Sequence, residues 1–440
     1  MKNRNPIWDF FASVKLALFT LFFLSTTSII GTIIPQKESV QWYSERYGEA
    51  TANLFRVLSF TPDMYNSVWF LCLLGLLCLN LIVCSLDRFP GVWRQIKADN
   101  LDTPLNRLEK MEPQCRWQLD NPPESTTSAL KIFLKTSGWK AEERKLDNSF
   151  LLFAQKGAMT RTGVYIVHTS ILVIFAGAII GSILGFKGSI MLPETKSTDK
   201  AYTFDTHSPI NLGFEIRCDR FNVELYDNGM PKSYRSQLTI LENGKVVKEK
   251  AIVVNDPLSY KGITFYQSSY EPSQDFLITI TNKNTGLSET AIIPYQQQRS
   301  LEKNGLRLGV VSAEAQGQSV SKIKIWLNDD KGAPSLFWLN NGEQVTVERT
   351  KNSYTVSAKQ MYATGLQVAK DPGVWTVYTG CALMIFGLVI AFFMSHQRIW
   401  LYIREETDGK NSILMAGNAN KNKAGFEKTF QALSQIIKKV

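Results

Sequence analysis

Histidine is scarce in this 440-residue chain, with three, and the six cysteines include no C-x-x-C pair. The patterns G-x-x-x-x-G-K-[ST], H-E-x-x-H and G-x-S-x-G are all missing, which removes the common local signatures of nucleotide, zinc-protease and serine-hydrolase sites. No constellation of nucleophile and base stands out, so no residue is assigned a catalytic role. Paired histidines on membrane helices are missing too, since His168 alone lies in an apolar run, and a di-haem membrane cytochrome acting by itself is excluded. The formal charge of +10 does not point to nucleic acid, because no basic stretch is interleaved with aromatics and much of the basic charge flanks apolar runs. Cys72, Cys78, Cys84 and Cys381 fall within such runs, where a thiol behaves as a small hydrophobe.

What the chain has is long apolar stretches. Gly163 to Gly185 contains no acid or base and is bracketed by Arg161 and Lys187. At about 1.5 Å per residue such a run covers the roughly 30 Å of a bilayer core. A titratable imidazole in lipid is costly and faces protein, water or a cofactor, which makes His168 a functional candidate. The plainer reading is a neutral histidine bonded to a neighbouring helix. On a wheel of about 100° per residue, Gly163, Gly177, Gly181 and Gly185 share a side and His168 lies well away from it. Small residues let helices approach closely, so the glycine side is expected to face the chain's own bundle and His168 a different neighbour or a ligand.

Taken in order, residues 1–13 form an inner N-terminus with Lys2 and Arg4, and 14–34 a first transmembrane helix. That run is long and no small-x-small cleavage site follows, so it reads as a retained span. Residues 35–67 form an outer loop with a helical piece around Trp42 to Leu58; 68–86 is the second span, its exit marked by Asp87, Arg88 and Pro90. Residues 87–161 form a small module with Arg88, Arg94, Lys97, Lys156 and Arg161 near the adjoining spans, which the positive-inside rule places in the cytoplasm. A helix over Ser125–Thr136 and two strands around Asp147-Asn148 make it an αββ unit. The third span is 162–185, and 373–395 is the fourth.

Between them, residues 186–372 change texture. Alternating stretches such as FEIRC, SQLTIL and FLITIT are separated by the turn signals DNG, ENG, NTG and NNG, which argues for an antiparallel β sandwich or barrel-like domain on the outer side. The expected fold is therefore four transmembrane α-helices with a large extracytoplasmic antiparallel β domain and a small cytoplasmic αββ module. Cys218 is then the sole thiol outside, which leaves no disulfide framework and no dithiol site there. Residues 396–440 form a cytoplasmic tail whose helix aligns Phe426, Phe430, Leu433 and Ile437 on one face, with Lys428, Lys438 and Lys439 elsewhere. It rests on the inner leaflet or docks on the module. His207, in a Thr-His-Ser-Pro turn, reads as a surface residue, and His396 as an anchor at the membrane edge.

The stretch FNVELYDNGMPKSYRSQLTILENGK followed by VNDPLSYKGITFYQSSY, Val254 to Tyr270, resembles the outer-domain signature of the ResB family, the System II cytochrome c biogenesis proteins of the CcsB/ResB type. GTIIPQ at the end of the first span, AQKGAMTRTGVYIVHTS into the third, DPGVWTVYTGC into the fourth and SHQRIW beyond it match in the same order. From Glu271 to about Lys370 only β texture is recognisable. The resemblance implies a multi-pass protein of the inner (cytoplasmic) membrane that works with a CcsA/ResC-type multi-span partner. No W-G-x-x-W-x-W-D segment, the haem-handling mark of that partner, occurs here, so the chain resembles the unfused kind. Such pairs pass haem outward and attach it to apocytochrome c, this subunit being non-catalytic or co-catalytic, with a separate thiol-disulfide reductase. The family's third-span histidine is implicated as an axial haem ligand and maps onto His168, which implies a transient haem shared with the partner.

In the outer motif, Asn255, Pro257, Tyr260, Tyr266, Gln267 and Tyr270 are candidates for docking apocytochrome or the partner, since exposed aromatics favour interfaces. The alternative is that they form a turn and core of the β domain. A different class of function is an envelope receptor or scaffold whose β domain binds a protein or small ligand without haem.

Overall fold

The computed structural model describes residues 5–438 apart from 99, 121, 205, 227–229, 317–318, 330, 331, 351 and 407–410. Lys2, Arg4, the Asp227-Asn228-Gly229 turn and Lys439 lie outside the described residues. The chain divides into two compact units, Met1–Ala178 with Val374–Val440, and Ile179–Gly373.

The first unit begins with α1 (Pro6–Phe11), capped by Asn5, and α2 (Val14–Ile33). A helix in lipid has to satisfy its polar groups internally. In α2 the hydroxyls of Thr20, Thr27 and Thr32 do this by donating to carbonyls one turn back, at 2.9, 2.7 and 2.8 Å. The GTIIPQ end is a clasp. Gly31 leaves room for the Met64 side chain, and Gln36 donates to the Ile34 carbonyl at 2.8 Å while accepting from the Met64 N–H at 2.9 Å. The helical piece expected around Trp42 splits into α3 (Val40–Tyr47) and α4 (Glu49–Val57), because Gly48 takes φ 81°. Helix α5 (Val68–Lys97) continues past the expected exit at Leu86, through Asp87, Arg88 and Pro90. Charge ends an apolar run without ending a helix.

The later helices are α6 (Leu105–Leu108), α7 (Pro123–Thr136), α8 (Gly163–Leu184), α9 (Val374–Phe393) and α10 (Lys423–Ile437). Among the described residues four helical stretches, α2, α5, α8 with the turn before it, and α9, are long and apolar enough to cross a membrane. Glycines set the approach of α8 and α9. A Cβ added at Gly163 would lie 2.8 Å from the Ala391 nitrogen, and one at Gly380 would lie 2.6 Å from Ile174 Cγ1. Helices that meet through glycine trade side chains for close backbone contact, the usual economy of packing in lipid.

The polar module is larger than its αββ part. Strands β1 (Gln114–Leu119), β2 (Lys140–Leu146) and β3 (Ser149–Lys156) are joined by β18 (Gln397–Glu405) and β19 (Asn411–Ala419) in a five-stranded antiparallel sheet ordered β1-β19-β18-β3-β2. The segment after the last span thus supplies two central strands. Its helix α10 docks beside α7, with Phe426, Phe430 and Ile437 in one core with Leu130, Leu134 and Leu152 and with Ile399, Leu401 and Ile403 of β18. Of the two placements expected for the tail helix, docking on the module is the one observed. Leu101 and Leu108 cover the sheet's other face over Phe153 and Trp400.

The second unit is built from β4 (Phe186–Pro193), β5 (Ser197–Thr203), β6 (Pro209–Leu225), β7 (Pro231–Glu242), β8 (Lys245–Ile252), β9 (Leu258–Tyr260), β10 (Ile263–Asn282), β11 (Ser288–Pro294), β12 (Gln298–Leu301), β13 (Leu306–Gln316), β14 (Ser319–Asn328), β15 (Ser335–Asn340), β16 (Gln344–Glu348) and β17 (Ser353–Lys370). Among the described residues they make a ten-stranded and a four-stranded antiparallel sheet. The expected turn at Asn243-Gly244 is present with φ 50° and 73°, the left-handed pair that a tight hairpin requires. The single β domain has two cores. One gathers residues of β4–β9 with Ile263 and Phe265, and the other packs β10 and β11 from Phe276 onward against β12–β15. Strands β10 and β17 run through both, paired from Ile263 opposite Lys370 to Asn282 opposite Tyr354, with register shifts at Gln267/Ser269 and Pro272/Phe276 where one core gives way to the other.

Candidate functional site

His168 enters α8 about 7 to 8 Å beyond its first residue, Gly163, at the usual helical rise. Its ring is half-buried and leans on α5 of the same chain, with Nδ1 2.9 Å from Ser85 Oγ. Of the alternatives left open for this residue, a different neighbour or a ligand, the structure shows a neighbour, and it is a helix of the same chain. His168 turns away from the glycine contacts with α9, as the wheel requires, and the side it reaches is α5. The reason is that a buried imidazole needs a partner for at least one nitrogen, and Ser85 supplies it. Nε2 has no hydrogen-bond partner among the described residues.

The surroundings are aromatic. Tyr165, one turn before His168, lies 6.3 Å from it between ring centroids and 5.2 Å from Phe89 of α5. Phe89 stacks on Trp93 at 5.7 Å, and the Lys97 ammonium lies 5.1 Å from the Trp93 ring. Deeper in α5, Asn80 is buried and donates to the carbonyls of Phe11 and Ser13 at 2.7 and 3.0 Å, which pins the α1–α2 bend. Ser85 and Asn80 were not singled out from the sequence. Asn80, an amide inside an apolar run, carried a signal; Ser85 carried none, because its role exists only through a residue on another helix.

His396 is buried at 1% exposure, which replaces the expected edge anchor. The Arg161 Nε donates to its Nδ1 at 2.8 Å, and its Nε2 is 2.9 Å from Gln155 Oε1. Because Nδ1 accepts, Nε2 carries the proton and donates to Gln155. Arg161 also donates to Gln95 of α5 at 2.7 Å, so the network joins α5, the entry to α8, strand β3 and the residue just before β18. Burial, with the Arg161 and Arg398 charges, pushes the His396 pKa down to about 4. His207 sits exposed at φ 51° in its turn. Among the described residues no group of three or more His, Cys, Asp or Glu side chains is arranged to hold a metal ion. A single imidazole could supply one axial position to a metal held otherwise.

The outer-motif residues divide. Gln267 is buried, its Oε1 accepting from Ser236 Oγ at 2.5 Å and its Nε2 donating to Thr364 Oγ1 at 2.9 Å. Tyr270 is half-buried among Phe221, Tyr234 and Tyr362, at centroid distances of 5.4, 5.5 and 5.8 Å. Tyr260 packs edge-on to Phe214 at 5.1 Å, and the Pro257 carbonyl accepts from Lys250 Nζ at 2.8 Å. Tyr266 and Asn255 are exposed, the latter at φ 67°. Strand alternation explains the division, since Phe265 and Gln267 point inward and Tyr266 outward. Cys218 is fully buried, and burial, then Glu194 and Asp219, push its thiol pKa up to about 12.

Comparison with known proteins places this geometry in context. The ResB-like family model matches residues 14–353 and 297–431. Two similar proteins, each called cytochrome c biogenesis protein CcsB, come from Synechococcus sp. strains JA-3-3Ab and JA-2-3B'a(2-13), at 28% and 29% identity over 98% of this chain and 90% and 92% of theirs. Another of that name, from Prochlorococcus marinus strain MIT 9301, is 28% identical over 97% of both chains.

Proposed function

Because the chain belongs to the ResB-like family, we propose that it is a membrane subunit of cytochrome c biogenesis that works with a CcsA/ResC-type partner in haem export and its covalent attachment to apocytochrome c. The basic residues Arg88, Arg94, Lys97, Lys156 and Arg161 flank the spans on the module side, which supports a cytoplasmic module and an outer β domain in the inner membrane.

The observation that carries the reading is the state of His168. The Ser85 hydroxyl holds the ring's orientation, and in the tautomer whose Nδ1–H donates to Ser85 Oγ the Nε2 lone pair is left for a ligand. Haem iron accepts a neutral imidazole nitrogen as an axial ligand, so this residue fits the group. The chain offers one such nitrogen at the site, and a second ligand falls to the partner. Ser85 acts as a positioning residue. Apocytochrome docking falls to exposed Tyr266 and Asn255, with Gln267 shaping the strand beneath them. No group on this chain is assigned the thioether chemistry, which makes it a non-catalytic or co-catalytic subunit, and thiol reduction belongs to a separate protein because Cys218 is sealed in a core.

The test is the haem absorbance of the purified complex. His168→Ala is expected to lose or weaken it, and an unchanged haem content would overturn the ligand assignment. Deleting the gene is expected to abolish holocytochrome c while haem synthesis continues; normal holocytochrome c would favour a haem-free receptor or scaffold.

A further inference from the structure

On α5, Ser85, Phe89, Trp93 and Lys97 recur every fourth residue, so they form one stripe that runs about 18 Å along the helix. The stripe is continuous in space. Trp93 stacks on Phe89 with an interplanar angle of 26°, Phe89 meets Tyr165 edge-on at 82°, and Tyr165 meets His168 at 68°. Phe89 and Trp93 are 38% and 36% exposed, so the chain itself covers these rings only in part. Cations frame it. Lys97 caps the outer ring, and Arg88 lies close enough to Tyr165 and His168 to act on both electrostatically. Here rings from two helices touch in sequence and end on the His168 imidazole, whose Nε2 lacks a partner among the described residues.

We propose that this stripe is a loading track on which a planar, amphipathic tetrapyrrole bearing carboxylates slides from the module end of α5 to His168. Aromatic faces offer a stacking surface to any flat conjugated ring, while the ammonium of Lys97 and the guanidinium of Arg88 pair with its carboxylates. The occupant is chosen by both halves of that chemistry: a lipid tail has no use for stacked rings, and a partner helix has no need of cations at both ends. The inference rests on the ligand reading of His168.

The full-length protein, purified with its natural partners bound and stripped of pigment, would be mixed with hemin and the Soret band followed in time. Trp93→Ala and Phe89→Leu are each expected to slow loading about fivefold, the worth of one aromatic contact, with the final spectrum unchanged. Trp93→Phe is expected to restore the rate. Lys97→Ala is expected to slow hemin but not its dimethyl ester, which lacks the carboxylates. Wild-type rates in Trp93→Ala would overturn the track, and so would a slowing that appears in anionic lipid discs but vanishes in neutral ones, which would mark the stripe as a lipid contact. An unchanged final spectrum in His168→Ala removes the ligand assignment itself; a lost spectrum there, beside normal loading in Trp93→Ala, removes only the track.

Discussion

Acid should loosen the polar module through one residue, His396. In the folded chain its pKa is held at about 4 against an ordinary 6.5, because burial opposes the charged form and Arg161 and Arg398 repel it. The unfolded chain therefore binds a proton that the folded chain refuses between those two values. Stability is fully present above 6.5 and is lost as the pH falls toward 4, by about 3 kcal/mol in all. His396→Gln isolates the effect, since a glutamine end keeps an acceptor for Arg161 and a donor for Gln155 but does not titrate. Carboxylates contribute equally to both proteins and cancel in the comparison. The assay is a series of urea melts of the full-length protein in detergent, read by tryptophan fluorescence. The wild-type curve is expected to fall more steeply than the variant's across this window. Parallel curves would refute the placement of a neutral histidine at the junction.

Phe430 is 2% exposed in the module core, so Phe430→Ala is expected to destabilise the module by about 3–5 kcal/mol in the same melts. Lys428→Ala, on the exposed side of α10, is expected to stay within about 0.5 kcal/mol; equal effects would mean that α10 is not docked. With the other cysteines replaced by alanine, Cys218 is expected to resist maleimide at mildly alkaline pH until denaturant is added, because its thiol is buried and its pKa stands near 12. Prompt labelling of the native protein would contradict that.

Much of the architecture was legible because it rests on local pattern. Period-two alternation and Asn-Gly turns marked the β domain, and the wheel of α8 put Gly163 and Gly177 on the buried side. Where reading failed, the missing information lay in residues far apart in the chain. The strands after the fourth span look like a tail until β18 is seen bonded to β3 from Gln397 opposite Lys156 to Arg404 opposite Ser149. The second core was unread for a similar reason: β10 and β17 give no local sign of where they leave one core for the next, and the register shifts that mark it appear in the pairing. In the outer motif, alternation could have separated Gln267 from Tyr266, whereas the Ser236 and Thr364 partners could not be foreseen.

The amino-acid sequence alone determined that four helices suit a bilayer, that a β domain lies between the last two, and that an isolated imidazole sits in the third. Hydropathy and period are properties of neighbouring residues, and they survive any arrangement of the pieces. Only the tertiary structure decided that Ser85 holds one nitrogen of His168, that rings from α5 and α8 join in one line, and that His396 is sealed beneath the module. Those facts depend on which helix faces or strands meet, and packing, unlike composition, is a property of the whole folded chain.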